Sequence, residues 1–274
     1  MNARAPLRVA IHGVLGRMGR ELVPLTLEAN GLELVAALDR EDSAAQGQEL
    51  RGLLGADAPA ICVTADLARA CGEAEVVVDF SAPAALAKLA EVCAQTGTAL
   101  VTGTTGLDDA AELALTDLSR RVAVVAAPNF SQGVTLLFHL ATIAARRLGP
   151  DFDAEIVEMH HRHKVDAPSG TAARLAELVA EAKGMRATQA LVYGRQGAVG
   201  ARPDAEVGVL SMRAGDVVGE HTLTLAGEGE RLELIHRATD RAIFARGALR
   251  AARWAVAQPA GRYDMADVMG LAAD

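Results

Sequence analysis

The chain has 274 residues, of which 51% are hydrophobic and 3% aromatic, enough to bury one or two ordinary cores. Its formal net charge of −8 leaves no diffuse positive field for a nucleic-acid backbone or an anionic membrane, so an anionic ligand needs a local cationic site. The first residues lack the long apolar core and cleavage site of a secretory signal, no segment reaches about 18 unbroken apolar residues, and a cytoplasmic location is expected.

The first part of the chain alternates short β-branched runs with longer Ala- and Leu-rich stretches that carry apolar residues at helical spacing. Such alternation implies crossover connections and a parallel sheet that is covered on both faces. We therefore predict an α/β fold with a Rossmann-like, doubly wound sheet over residues 1–130. The predicted strands are 7–11, 32–38, 75–80, 98–101 and 122–126, with helices such as 17–29 and 83–96 between them.

A glycine-rich turn follows the first predicted strand and opens the first predicted helix. Its glycines are Gly13, Gly16 and Gly19, spaced G-x-x-G-x-x-G. Gly13 permits a tight turn, Gly16 lets a pyrophosphate approach the backbone, and Gly19 lets helix and strand pack closely, while the helix N terminus attracts negative charge. Leu15 stands where the commonest dinucleotide pattern has its second glycine. A glycine-rich turn without a ligand therefore remains an alternative.

An acidic and a basic residue follow the second predicted strand. Asp39 lies 20 residues after Gly19, where a carboxylate can accept hydrogen bonds from the adenosine ribose. The carboxylate favours NADH because it would repel a 2′-phosphate, whereas Arg40 can pair with that phosphate. The two residues together predict that either NADH or NADPH is accepted. The alternative interpretation is an exposed polar turn.

Two later strand ends, 101–106 and 126–131, are polar and carry glycine or proline. Ligands of open α/β sheets bind beyond the carboxyl ends of the strands. Both segments are therefore expected on the rim of the cofactor site, where backbone groups could hold the nicotinamide amide. Each segment alone is also compatible with an ordinary loop.

After Ser131 the pattern changes to that of a mixed α+β domain. Short glycine-bearing turns join three strand candidates between residues 206 and 238, so these consecutive strands are expected to be largely antiparallel. The last helical stretch could return to the first domain, which gives predicted domains of 1–130, 131–239 and 240–274. The further predicted elements are helices at 133–148, 171–183 and 240–258 and a strand at 152–160.

The most informative segment is the cationic run HHRHK at 160–164, in a chain that is acidic overall. It holds one of only three lysines and is expected to form the local anion site. Ser169, Gly170 and Thr171 then open the next helix with a hydroxyl cap and unpaired backbone N–H groups, which suit a carboxylate. A dianionic substrate could thus bind between the cationic run and the start of this helix.

Two other interpretations of this run are a zinc site and a solvated basic loop. Zinc is disfavoured because H-H-x-H lacks the H-E-x-x-H spacing and no cysteine is near, so no metal is predicted. A solvated basic loop is disfavoured because structural loops rarely concentrate residues that titrate near neutral pH beside a helix N terminus. The three cysteines, Cys62, Cys71 and Cys93, form no C-x-x-C pair and are expected to be reduced, packed thiols.

These motifs are similar, in order and spacing, to those of the dihydrodipicolinate reductase family, also called 4-hydroxy-tetrahydrodipicolinate reductases. The resemblance spans nearly the whole chain, and the run from His160 to Thr171 is its most specific part. In two departures, Asp39 stands where a glutamate is frequent and Pro128 where an alanine is usual. The matching motifs are Gly13 to Gly19, Gly103-Thr104-Thr105, Asn129-Phe130-Ser131, His160 to Thr171 and Arg213 to His221.

The resemblance implies a reductase of the diaminopimelate and lysine pathway that uses NADH or NADPH. Its substrate would be a small dicarboxylate cyclic imine, formed by loss of water from a hydroxylated precursor. His160 would deliver the proton, with Lys164 as its acid partner, while the nicotinamide gives the hydride. The implied substrate contacts are His161, Ser169, Gly170 and Thr171. The implied cofactor contacts are Gly13, Val14, Leu15, Gly16, Arg17, Met18, Asp39, Arg40, Gly103, Thr104, Thr105, Ala127, Pro128, Asn129 and Phe130.

The resemblance also implies an open mixed sheet in the second domain, on which four subunits assemble. Residues 207–225 are accordingly interpreted mainly as structural and interface residues, with a catalytic role as the alternative. Two other functions stay open. A different two-domain nicotinamide dehydrogenase could use the cationic run for another acid, and an idle dinucleotide sensor could keep the fold without turnover. His160 and Lys164 argue against the sensor, which needs no proton donor beside a nicotinamide.

Overall fold

Residues 5–271 are described in the computed structural model of the chain, and they divide into two units. The first unit comprises residues up to Phe130 together with 242–271, and the second comprises Ser131–Arg241. Residues 1–4 and 272–274, which the predicted domains 1–130 and 240–274 include, lie outside the described residues. Within 5–271, no helix combines the length and the apolar character that a bilayer span requires.

The first unit contains a seven-stranded sheet in which every neighbouring pair is parallel. Numbered along the whole chain, its strands are β1 (Leu7–His12), β2 (Leu32–Leu38), β3 (Val63–Thr64), β4 (Val76–Asp79), β5 (Ala99–Thr102), β6 (Ala123–Ala126) and β12 (Gly261–Tyr263). Their order across the sheet is β12-β6-β5-β4-β1-β2-β3. The helices of this unit are α1 (Arg17–Glu28), α2 (Leu50–Leu54), α3 (Leu67–Glu73), α4 (Pro83–Thr96), α5 (Asp109–Ser119), α9 (Ala242–Ala255) and α10 (Met265–Met269).

Hydrophobic cores cover both faces of this sheet. On one face, Leu22 of α1 and Ala248 of α9 pack in a cluster with alternate strand residues, and on the other, Leu86 of α4 and Leu115 of α5 do so. Strands buried on both sides need continuous apolar runs, and the three fully buried valines of β4, Val76, Val77 and Val78, form one. The predicted doubly wound α/β fold is confirmed.

The second unit contains a five-stranded mixed sheet in the order β11-β10-β7-β9-β8. Strands β7, β9 and β8 run parallel, and β10 is antiparallel to both β7 and β11. The strands are β7 (Asp153–His160), β8 (Leu191–Tyr193), β9 (Val207–Arg213), β10 (Gly219–Gly227) and β11 (Glu230–Ala238). The helices are α6 (Gln132–Leu148), α7 (Gly170–Ala182) and α8 (Ala187–Ala190), with a 3-10 turn at Gly149–Asp151.

The consecutive strands β9, β10 and β11 alternate in direction, as the short turns predicted, but they are not all neighbours. β10 and β11 form the expected antiparallel hairpin, but β9 and β10 are not neighbours, because β7 lies between them. The connection from β9 to β10 therefore passes the carboxyl end of β7. There the Ala214 N–H donates to the His160 carbonyl, and the Arg162 N–H donates to the Gly215 carbonyl.

Side-chain alternation along β7 gives its two faces different roles. Ala154 and Ile156 point into the core formed with α6 and α7, and Glu158 and His160 continue the same inward row. The last two inward positions are thus polar, although both residues are buried. The core of the second unit consequently ends in a buried acid and a buried histidine.

The three cysteines are free thiols. Cys71 on α3 and Cys93 on α4 are buried, with their Sγ atoms 3.9 Å apart. Cys62 is exposed, so the expectation that all three are packed is wrong for this residue. Side chains of an extended chain alternate between two faces. Val63, the residue after Cys62, points into the core, so Cys62 points outward.

Candidate active site

His160 is held by a buried carboxylate on its own strand. Its Nδ1 lies 2.6 Å from Glu158 Oε2, and the Glu158 side chain has no exposed surface. Arg213 of β9 grips the same carboxylate with two hydrogen bonds of 2.9 Å, Nη1 to Oε2 and Nη2 to Oε1. Burial opposes ionisation, but the hydrogen bonds from Arg213 and His160 outweigh it and lower the pKa of Glu158. The imidazole is therefore paired with a fixed anion.

The predicted carboxylate seat at the start of α7 is joined to this pair. The Ser169 N–H donates to Glu158 Oε1 over 3.1 Å, and the Ser169 hydroxyl accepts from the Ala172 N–H as the cap of the helix. Ser169 is buried, whereas Gly170 is exposed and Thr171 partly so. Among the three residues, Gly170 and Thr171 are thus at the surface, and Ser169 lies behind them.

The cationic run forms a turn directly after β7. The Lys164 N–H donates to the His161 carbonyl, and Lys164 Nζ lies 2.8 Å from Asp166 Oδ1. Arg241 Nη2 lies 3.3 Å from His161 Nε2, and desolvation followed by the charge of Arg241 lowers the pKa of His161. The turn thus collects positive groups around the end of β7.

Two histidines and an arginine that the sequence did not assign to the site lie in it. The rings of His221 and His160 are 5.3 Å apart, and those of His221 and His236 are 6.4 Å apart. His221 Nε2 lies 3.2 Å from the Ser169 hydroxyl, and burial lowers the pKa of His221 to about 4. His221 and Arg213 fall within 207–225, so part of that segment contacts the candidate site. The sequence did offer one signal for Arg213 and His221. They are the first and last residues of the Arg213 to His221 motif, which resembles the family.

In the first unit, the glycine-rich turn has the geometry that its sequence predicted. Gly13 has a φ of +77°, and a Cβ there would lie 2.7 Å from the Phe80 carbonyl oxygen. A Cβ on Gly19 would collide with the carbonyl oxygens of Gly13 and Val14. Gly16 is the N-cap of α1, and no side chain among the described residues caps that helix. The first-turn N–H groups can therefore face a ligand.

Asp39 is attached to this turn rather than projecting freely. Its Oδ2 accepts from the Leu15 N–H over 3.0 Å, and its Oδ1 accepts from the Arg40 N–H over 2.9 Å. The Arg40 guanidinium is exposed and lies 3.1 Å from Asp42 Oδ1. The Asp39 carboxylate thus holds the glycine-rich turn by a hydrogen bond, and the Arg40 guanidinium is exposed at the surface.

Backbone hydrogen bonds connect the predicted cofactor loops at one edge of the sheet. The Gly13 N–H donates to the Leu38 carbonyl, and the Ala127 N–H donates to the Thr102 carbonyl. Gly103, Thr104 and Thr105 follow β5, and Ala127, Pro128, Asn129 and Phe130 follow β6. The Phe130 ring is buried 5.6 Å from that of Phe80, so its side chain belongs to the core.

A buried acid that the sequence did not assign organises the same edge. Asp79, the last residue of β4, lies 2.8 Å from His12 Nδ1 and accepts from the hydroxyls of Ser81, Thr102 and Thr104. Burial would raise its pKa, but the hydrogen bonds from His12, Ser81 and Thr102 prevail and lower it. The Thr104 hydroxyl is thus committed to Asp79.

No group of three or more His, Cys, Asp or Glu side chains within residues 5–271 is arranged to hold a metal ion. The buried carboxylates of the two regions, Asp79 and Glu158, instead accept hydrogen bonds from neighbouring side chains. Histidines and cations arranged around such carboxylates can transfer protons and bind anions.

Comparison with known proteins finds the same family along nearly the whole chain. The family model described as dihydrodipicolinate reductase, N-terminus, matches residues 7–130, and the one described as dihydrodipicolinate reductase, C-terminus, matches residues 133–269. A 4-hydroxy-tetrahydrodipicolinate reductase of Alkalilimnicola ehrlichii is 49% identical over 96% of this chain and 99% of its own length. The corresponding reductase of Anaeromyxobacter dehalogenans strain 2CP-1 is 48% identical over 96% and 98%.

A solved structure is similar over a comparable span. The dipicolinate-bound dihydrodipicolinate reductase from Paenisporosarcina sp. TG-14 has a TM-score of 0.76 and 28% identity, and the match covers 94% of this chain and 97% of that one. An amine dehydrogenase from Mycobacterium smegmatis, with a TM-score of 0.57 and 14% identity, shares the fold alone. The matches by sequence and by fold lead to the same conclusion: the chain belongs to the dihydrodipicolinate reductase family.

Proposed function

We propose that this chain is an NADH- or NADPH-dependent 4-hydroxy-tetrahydrodipicolinate reductase of the diaminopimelate route to lysine. After loss of water from the substrate, dihydrodipicolinate would be reduced to tetrahydrodipicolinate. The observation that carries the proposal is a histidine paired with a buried anion beside a cationic turn. It occurs in a chain 49% identical, over nearly its whole length, to a protein of that name.

The predicted dinucleotide-binding domain, residues 1–130 with the C-terminal return at 240–274, is proposed to hold the cofactor. The glycine turn fits a pyrophosphate because it offers backbone and no side chain at Gly16, and Asp39 and Arg40 stand where a ribose or its 2′-phosphate would be recognised. A bound nicotinamide supplies the hydride. The proposed contacts are Gly13, Val14, Leu15, Gly16, Arg17, Met18, Asp39, Arg40, Gly103, Thr104, Thr105, Ala127, Pro128, Asn129 and Phe130.

His160 is proposed to deliver the proton through Nε2. Its Nδ1 is engaged by Glu158, and Nε2 lies 2.9 Å from where a Cβ on Gly219 would be, so any larger residue at 219 would crowd this atom. Lys164 and the cationic turn stabilise the electron density that develops on the substrate ring during reduction. Imidazole suits this step because it exchanges protons near cytosolic pH.

The substrate carboxylates are proposed to bind at His161 and at the start of α7. Gly170 and Thr171 would present the helix N terminus to one carboxylate, while Ser169 keeps the turn in place through its cap. The Paenisporosarcina reductase was solved with dipicolinate, a small dicarboxylate of the same kind. The second unit, about residues 131–239, is thus the proposed substrate domain.

The outer face of the mixed sheet is proposed to bind other copies of the chain, in a homotetramer located in the cytoplasm. Register places Leu210, Val157, Thr222 and Ile235 in one row across four strands. Leu210 and Ile235 are each 46% exposed, and Met212 lies on the same face. Three of these four side chains in the row are apolar, and exposed apolar side chains grouped on one sheet face are typical of an interface.

The proposed function is tested by a steady-state assay of cofactor oxidation. Freshly generated 4-hydroxy-tetrahydrodipicolinate is supplied with NADH and, separately, with NADPH, and reactions without substrate are the control. Oxidation that depends on this substrate is expected, and the ratio of kcat/KM for the two cofactors reports on Asp39 and Arg40. A different dehydrogenase would ignore the substrate, and a sensor would bind NADH without consuming it; either result contradicts the proposal.

A further inference from the structure

Glu158 receives hydrogen bonds from three separate elements of the second unit. His160 approaches from the same strand, Arg213 from β9, and the Ser169 N–H from the turn before α7. Both carboxylate oxygens are used, and the side chain is fully buried. A carboxylate placed in this way links the proton-carrying ring to the backbone that opens α7.

We infer that Glu158, clamped by Arg213, is a positioning residue that fixes the tautomer of His160 and holds it against the start of α7. Only the predicted effects on kcat and KM rest on the proposed function; the predicted tautomer of His160 does not. An ionised carboxylate can only accept hydrogen bonds, so His160 Nδ1 must carry a hydrogen. In the neutral ring Nε2 then has the lone pair, and in the protonated ring Nε2 carries the proton that can leave.

Arg213 extends the effect to the cationic turn. Besides its two hydrogen bonds to Glu158, its Nη2 donates to the Asp166 carbonyl over 2.6 Å. Asp166 in turn pairs with Lys164 over 2.8 Å. One guanidinium therefore ties together the anion behind His160 and the turn that carries Lys164, an arrangement that needs the planar fork of arginine.

The charged and titratable groups around the pair are few and come from every neighbouring strand. Arg213 faces it from β9, His221 from β10, and Lys164 and Asp166 from the turn. Burial keeps the His221 ring neutral near neutral pH. Glu158 is thus the anion that directly contacts the imidazole, and its loss should change how the ring is oriented.

The test replaces Glu158 by glutamine, which keeps the shape and removes the charge. A glutamine oxygen cannot satisfy both His160 Nδ1–H and the Arg213 fork, so the ring loses its fixed tautomer. We expect kcat to fall about 100-fold or more, with the KM for NADH unchanged, as when a histidine loses its orienting carboxylate. The pH profile of kcat should also change, because the variant removes the negative charge that contacts the ring.

Glu177→Gln is the matched control, because Glu177 is also paired with an arginine, Arg174, at 3.1 Å, but at the exposed surface of α7. It should keep the wild-type kcat and pH profile. Glu158→Asp, which retains the charge on a shorter side chain, should recover part of the lost kcat. If Glu158→Gln does not fold, Arg213→Lys tests the clamp instead, since it keeps the positive charge and loses the fork. The kcat should again fall, and an unchanged kcat would overturn the inference.

A second readout does not depend on activity. In protein labelled with 15N in its histidines, the His160 ring should show the Nδ1-protonated neutral tautomer in the wild type and a mixture in Glu158→Gln. An inactive wild type with this tautomer signature would reject the proposed function and leave the inference standing. An active enzyme in which Glu158→Gln changes neither the tautomer nor the pH profile would overturn the inference.

Discussion

His160 and Lys164 are only four residues apart, yet they have different partners and different exposure. His160 is buried against Glu158, while the Lys164 ammonium is partly exposed and held by Asp166. The first arrangement orients a ring, whereas the second leaves a positive charge near the surface, where an anionic substrate can reach it. Single substitutions here should therefore reduce turnover without unfolding the protein.

Replacing His160 or Lys164 by alanine is expected to lower kcat about 100-fold or more, the usual contribution of a positioned acid or base. The measurement is steady-state turnover, with circular dichroism to verify the fold. Lys88→Ala is the control, because Lys88 is an exposed lysine of α4. Near-normal rates in both His160→Ala and Lys164→Ala would reject their proposed roles.

His221 should make the protein less stable in mild acid. Burial lowers its pKa from 6.5 to about 4, so between these values the unfolded chain binds a proton that the folded chain does not. The stability that neutral His221 provides is thus complete above about pH 6.5 and is lost as the pH falls towards about 4, by about 3 kcal/mol at most.

Urea denaturation at several pH values between about 7 and about 4.5 measures this effect. The free energy of unfolding should decrease with pH in the wild type and decrease less in His221→Gln. Parallel pH dependences for the two proteins would contradict the assignment. Glu158 and Asp79, whose pKa values are lowered, add acid sensitivity in both proteins only at still lower pH.

At the scale of elements, the site regions depend on where strands and helices end. β1 ends in the glycine turn, and α1 begins at once, because Gly13 and Gly19 let the backbones approach. In the second unit, β7 ends at His160, and α7 starts with the Ser169 cap. The chemistry-bearing residues thus sit at element ends, while the interiors of the elements supply the core.

Gly19→Ala should weaken both cofactor binding and stability. Its methyl group would collide with the carbonyl oxygens of Gly13 and Val14, so α1 would have to move away from the turn. We expect a higher Kd for NADH, measured by titration calorimetry, and a loss of about 1–3 kcal/mol in unfolding free energy.

Gly52→Ala is the control for this substitution, because a Cβ on Gly52 in helix α2 would meet nothing within 4 Å. It should leave NADH binding unchanged. Equal Kd values for the wild type and Gly19→Ala would show that the close approach of α1 does not matter for the cofactor.

At the scale of the whole molecule, the exposed apolar row on the outer face of the mixed sheet is the feature that a single chain does not explain. The opposite face of the same sheet is covered by α6 and α7. An uncovered apolar face costs free energy in water, and assembly with other copies would remove that cost.

Leu210→Glu is expected to reduce the oligomeric state, because it places a charge at an exposed apolar position of this face. Light scattering coupled to size-exclusion chromatography measures the mass. Leu113→Glu is the matched control, since Leu113 on α5 is more exposed, at 61%, but lies outside the mixed sheet. A wild-type protein that is monomeric, or a Leu210→Glu variant of unchanged mass, would contradict the proposed interface.

The amino-acid sequence alone determined the fold class, because helical and strand periodicities are local properties that alternate visibly along residues 7–126. It also placed the glycine turn and the cationic run, whose residues are consecutive. Very short strands such as β3 and β12 were not predicted, because two or three residues are too few to show the alternation of a strand.

Only the tertiary structure decided which residues meet. Arg213 reaches Glu158 across 55 positions of sequence, and His221 reaches Ser169 across 52, because β7 is inserted between β9 and β10. The same holds for Asp79, which joins His12 to Thr102 from neighbouring strands. Such contacts depend on strand order and register, which are set by the packing of the whole sheet and leave no local pattern in the sequence.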